Sequence, residues 1–150
     1  ALCTNAFSRR FLAEEELEPG RGLVLVSKPH PAFHWEGSFH YHDGYNYFRT
    51  IDGRLLLGGG RHLDKPGETT LEPGINSAIE KALKKDIASL IAPGVAVEID
   101  YLWSGVMAFG SSKQPVIKRI DDHLVAGIRL GGMGVAIGAR VGEDLAALIG

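Results

Sequence analysis

Gly131, Gly132, Met133 and Gly134 follow the apolar run at residues 124–128 and open a second apolar segment that continues toward Gly150. Strand, glycine loop and helix in that order let backbone amides meet a flat or anionic ligand. Glycine has no Cβ to hold a ligand away, and the amides at a helix start favour negative charge. A dinucleotide cradle needs more: a further parallel strand, and an acidic residue about 20 positions on to hold a ribose. Those features are missing after this loop. The loop is therefore expected either to contact something other than a pyrophosphate or to belong to the C-terminal piece of a larger cofactor-binding protein. The opening ALCTNAF reads as the end of a buried strand and carries the same expectation.

Tyr47 and Arg49 are two residues apart in a strand-like run, which places them on one face. A phenol and a guanidinium side by side can hold a carboxylate through a charge-assisted pair. The plainer alternative is a strand tyrosine beside a solvated edge charge. Six histidines, His30, His34, His40, His42, His62 and His123, invite a metal reading, but even His40 and His42 on one face lack a third ligand in register. No metal site is expected. Ser104 stands outside any GxSxG elbow, and no side chain is assigned a catalytic acid, base or nucleophile role.

The elements that must position these residues follow from periodicity. A strand is expected at residues 23–27, stopped by Pro29, and another at 31–41, where Phe33, Trp35, Phe39 and Tyr41 alternate. A hairpin turns at Asp52 and Gly53, with Tyr45, Tyr47 and Arg49 leading in and residues 55–57 returning. Ile75, Ile79, Leu83, Ile87, Leu90 and Ile91 mark one long amphipathic helix, with Pro73 in its first turn and Pro93 and Gly94 ending it. Residues 95–103 read as a strand running into a glycine-rich bend, SGVMAFGSS, and residues 115–117 and 124–128 as the last two strands. The predicted class is α+β, a mostly antiparallel sheet with the long helix packed on it.

Composition closes off other classes. The 150 residues are 45% hydrophobic and 23% charged with a net charge of -2, so no field recruits nucleic acid. Cys3 is the single cysteine, which excludes an intrachain disulfide and suits a reducing cytoplasm. No apolar run reaches the roughly 20 residues of a membrane helix, and no secretory leader is evident.

Three segments in order resemble one family, the flavin-dependent amine and amino-acid oxidoreductases of the D-amino-acid oxidase and glycine oxidase type. RGLVLV resembles the strand entering their substrate domain. YFRTIDGRLLLGG is similar to their tyrosine-led hairpin. WSGVMAFGSSKQPVI with GIRLGGMGVAIG resembles their returning strand and final flavin-contacting loop.

The resemblance implies three parts: residues 1–20 as the end of an FAD-domain segment and link, 21–102 as the substrate-binding domain, and 103–150 as the C-terminal part of the FAD-binding domain. It implies FAD contact by Gly131, Gly132, Met133, Gly134, Val135 and Ala136, with backbone donors only where relatives often carry a hydroxyl at Ala136. Reduced flavin gathers negative charge at its N1 and O2 edge, which a helix start would stabilise. Tyr47, Arg49, Trp103 and Met107 are implied on the substrate side, Met107 standing where amino-acid oxidases carry a carboxylate-binding arginine. The implied reaction is oxidation of a C–N bond of an amine or amino acid by hydride transfer to flavin N5. The N-terminal FAD-binding segment of the same protein is the implied partner, and this piece alone is expected to be inactive and to bind FAD weakly or not at all. The alternative is a stand-alone α+β binding module without catalytic activity.

Overall fold

The computed structural model describes residues 1–149, and the chain divides into two units. The sheet unit comprises Arg21–Glu68 and Glu72–Gly105; the loop unit comprises Ala1–Gly20, Thr69–Leu71 and the chain from Val106 onward.

β1 (Glu18–Ser27), β2 (Ser38–Tyr41), β3 (Asn46–Ile51), β4 (Arg54–Gly59) and β5 (Ile99–Phe109) form a five-stranded sheet in the order β2-β3-β4-β1-β5, whose residues between 21 and 105 belong to the sheet unit. The β2/β3, β3/β4 and β4/β1 pairs are antiparallel. Ile51 pairs with Arg54 across the two-residue turn of Asp52 (φ 50°) and Gly53 (φ 69°), the left-handed pair that matches strand twist. Leu23, Leu25, Leu55 and Leu57 point to one face and are buried against Ile79, Leu83, Ile87 and Ile91. The latter four belong to α2 (Ser77–Asp86) and its π-helical extension (Ile87–Ile91). A short helical turn, α1 (Lys65–Glu68), precedes them.

Three expectations are corrected here. The strand at residues 31–41 is confined to Ser38–Tyr41. His30 donates its amide to Gly53 O, and its Nδ1 accepts from the Ala32 amide, turning the chain so that Phe33 enters the core from a loop. The helix starts at Ser77, not at Pro73, because the Asn76 side chain caps it, accepting from the amides of Ala78 and Ile79. The strand expected at 95–103 begins only at Ile99 and runs straight through Ser104 to Phe109, so the glycine-rich bend starts later. Small residues there reflect an alternation of strand faces rather than a break.

In the loop unit, β6 (Val116–Arg119) and β7 (Val125–Ile128) form an antiparallel hairpin, with Leu2 bridged in parallel to Ala126. Ala6, Leu12, Leu17, Ala108, Val116, Ala126 and Ile128 make its core. The helix α3 (Gly134–Ala147) buries Val141 and Leu145. A Cβ on Gly127 would meet Leu145 at 3.1 Å and Val141 at 3.4 Å, so the glycine that lets helix and strand pack is Gly127.

Candidate functional site

The loop between β7 and α3 is built from left-handed backbone. Arg129 (φ 60°), Gly131 (φ 57°) and Gly132 (φ 79°) turn the chain before α3 begins. A Cβ at Gly131 would meet nothing within 4 Å, and one at Gly132 only Met107 Sδ at 3.6 Å and Phe109 Cε1 at 4.0 Å. These glycines are therefore required by conformation rather than by packing, and the space before Gly131 is open. The start of α3 is bare as well: Met133 at the cap position makes no side-chain capping bond, and Val135 in the first turn is fully exposed. The Gly131 amide donates to Ala108 O at 3.0 Å and that of Met133 to Leu130 O at 2.9 Å. Among the described residues no carbonyl or side chain accepts from the amides of Gly132, Gly134 and Val135. Unpaired amides at a helix start, beside glycines open to approach, fit the electron-rich edge of a flavin. Met107 and Phe109 supply an apolar flank to the same loop.

The substrate-side candidates of the sheet unit lie on the face opposite its core. Tyr47 and Arg49 are exposed while their neighbour Phe48 packs on the core, and Tyr47 pairs with Gly58, Arg49 with Leu56. Trp103 is exposed beside Leu102, which packs on the core, so it shares that face. Partial burial raises the Tyr47 phenol above its ordinary pKa. Met107 belongs to the loop unit, on the strand face that meets Gly132.

Two supports were missing from the sequence reading. A Cβ at Gly58 would stand 2.4 Å from Cζ and Oη of Tyr47, so the bare backbone of β4 is what allows the ring to lie across it. Glu68, only 2% exposed, receives both Nε (2.9 Å) and an NH2 group (2.8 Å) of Arg21. Asn76 Nδ2 donates to Glu68 at 3.0 Å and to Asp64 at 2.8 Å. The Arg21 hydrogen bonds hold the Glu68 carboxyl below the usual range. Gly58 is signalled by the glycine run 58–60; Glu68, in a polar stretch, gives no sign of burial.

Two open concavities lie away from these residues. One of about 380 Å³ sits between Lys84, Ile87, Ala88 and residues 95–99, and one of about 430 Å³ is lined by residues 11–15 and 118–120. Among the described residues no group of three or more His, Cys, Asp or Glu is arranged for a metal, and no helix is long and apolar enough to cross a membrane.

The backbone is similar to solved structures that include the following three. Glycine oxidase from Geobacillus kaustophilus is 17% identical with a TM-score of 0.79, over 99% of this chain and 41% of that one. L-proline dehydrogenase from P. horikoshii is 18% identical with a TM-score of 0.75, over 97% and 41%. Iminodiacetate oxidase from Chelativorans sp. BNC1 is 18% identical with a TM-score of 0.75, over 98% and 41%. At these identities the likeness establishes the fold, and the chain spans about two-fifths of the length of each. No curated protein sequence matches it. The model of the DAO family, described as FAD dependent oxidoreductase, matches residues 1–148, and the chain belongs to that family.

Proposed function

We propose that this chain is the C-terminal part of a longer FAD-dependent oxidoreductase that oxidises a C–N bond of an amine or amino acid. Membership of an FAD-dependent family, joined to three unpaired amides at the open start of α3, is the observation that carries the reading. In it the loop unit closes the FAD domain and the sheet unit is the substrate domain. FAD, when bound, supplies at N5 the acceptor for a hydride from the carbon next to nitrogen, and water hydrolyses the resulting imine.

The chain's residues bind and orient. Gly131 and Gly132 leave room for the ring, and the amides of Gly132, Gly134 and Val135 favour its reduced, negative edge. Met133 and Ala136 complete that turn. Met107 and Phe109 exclude water from the loop's flank. On the substrate face, Tyr47 donates from a neutral phenol, Arg49 offers the cation for a carboxylate, and Trp103 forms an apolar wall. With Met107 in place of an arginine, Arg49 is the residue assigned to an α-carboxylate. None of these side chains needs to move a proton, since positioning supplies much of the rate in such a transfer.

The test is anaerobic mixing of the full-length protein with panels of primary amines, N-substituted amino acids and free amino acids. Bleaching of oxidised flavin by one class supports the reading. A protein whose bound flavin is bleached only by hydroxy acids, or which holds no flavin, overturns it.

A further inference from the structure

Asn5, 124 residues before Arg129, reaches the strand that feeds the glycine loop. Its Oδ1 accepts from the Arg129 amide at 3.0 Å and from the Leu130 amide at 3.4 Å. Both Asn5 (φ 47°) and Arg129 (φ 60°) are left-handed, a conformation that asparagine tolerates and arginine rarely adopts. The β6/β7 pairing has ended at Ile128, so these amides have left the ladder and one carboxamide takes both.

Arg129 is then held from its other end. Nε donates to Gln114 O at 3.2 Å and an NH1 group to Glu16 O at 3.3 Å. The stem passes over Gly110, where a Cβ would come within 2.8 Å of Arg129 Cδ. Its guanidinium is therefore committed to the loop unit's own backbone. With the Gly131 amide on Ala108 O, three successive amides, 129 to 131, are fixed by partners on two other segments. The amides left over are those of Gly132, Gly134 and Val135.

We propose that Asn5 is a positioning residue: with Arg129 it latches the entry to the glycine loop, and so aims those three amides at the flavin. The inference rests on the FAD reading above. Loss of the Asn5 acceptor frees a strained turn to relax, and amides that drift stabilise the reduced flavin's charge less.

The experiment uses the full-length protein with Asn5→Gly, which keeps the left-handed backbone and deletes the acceptor, and with Asn5→Ser, a milder change should the first fail to fold. Thr4→Ala is the structural control, since it removes only the Thr4–Ser8 hydroxyl contact of the same turn. Flavin midpoint potential, FAD dissociation constant and thermal midpoint are read for each.

In Asn5→Gly the preference for reduced over oxidised FAD is expected to fall about tenfold, which is about 30 mV for a two-electron couple. Asn5→Ser should shift less, and Thr4→Ala should lower the thermal midpoint at unchanged potential. Asn5 variants that fold and hold FAD at the wild-type potential overturn the latch alone. A wild-type protein that holds no FAD overturns the functional reading and the latch with it.

Discussion

Tyr47 owes its place to an atom that Gly58 lacks. Gly58 has no positive φ, so alanine fits the backbone conformation there, and the nearest atoms its Cβ meets are those of the Tyr47 ring. Gly58→Ala is expected to leave the fold intact and to raise KM for the amine about fivefold, the worth of one substrate hydrogen bond, with a smaller change in kcat. Steady-state kinetics of the full-length protein checks this, and an unchanged KM removes Tyr47 from the substrate face. Glu68 is the opposite case, a buried carboxylate serving the fold. Its pKa is depressed below the unfolded value of about 4.3, so its contribution is complete above that pH and is lost as pH falls through the lower folded value. Glu68→Gln leaves Arg21 without its charge partner and is expected to cost about 3 kcal/mol at pH 7. In urea titrations the gap from wild type should shrink in acid; a gap constant with pH would assign the loss to packing. The pairing of Tyr47 with Arg49 on one face was legible because a strand's period is two. Asn5 was not, since its carboxamide acts across 124 residues and only the fold brings those segments together.

The start of α2 shows how one residue ties an element to the polar groups around it. Asn76 uses Oδ1 to cap the helix and Nδ2 to satisfy Asp64 and Glu68. Aspartate is an equally good cap on an isolated helix. At this position it has no donor and adds a third carboxylate to the cluster. Asn76→Asp is therefore expected to destabilise more than Asn76→Ala, whose cost should be about 1 kcal/mol. Thermal or urea unfolding of both variants decides it, and the reverse ranking would mean that only the cap matters. The same segment explains what the sequence yielded and what it withheld. The spacing of Ile79, Leu83, Ile87 and Ile91 gave the helix and its buried face, while the cap was masked by Pro73, an acceptable first-turn residue upstream. The Asp52-Gly53 hairpin was legible because its turn chemistry is local. The aromatic alternation of residues 31–37 misled because Phe33 reaches the core from a loop, where burial has no period.

Two separate cores, one gathered under the five-stranded sheet and one around β6, β7 and Ala6, underlie the two units. The class and its antiparallel sheet could be read from patterning, because the core under the five-stranded sheet draws on the alternating Leu23, Leu25, Leu55 and Leu57 and on one long helix. Patterning alone does not divide the chain, since the loop unit is assembled from three stretches; the partition at residues 1–20, 21–102 and 103–150 came from the family resemblance instead. A magnitude sets what the loop unit can do by itself. Three amides donating to a charged edge contribute about 1.5–3 kcal/mol each. Association costs roughly 4–15 kcal/mol in lost freedom. The surplus is a few kcal/mol at most, which corresponds to a dissociation constant near millimolar or weaker. The 150-residue chain expressed alone is therefore expected to emerge from gel filtration without stoichiometric flavin, while the full-length protein emerges yellow. In the full-length protein, hydrogen exchange at residues 129–137 should slow when FAD is added to the apoprotein, because the unpaired amides of Gly132, Gly134 and Val135 then gain an acceptor. Exchange in α2 should not change, its amides being already bonded within the helix. Slowing confined to α2, or tight flavin on the short chain, would place the cofactor somewhere other than the start of α3.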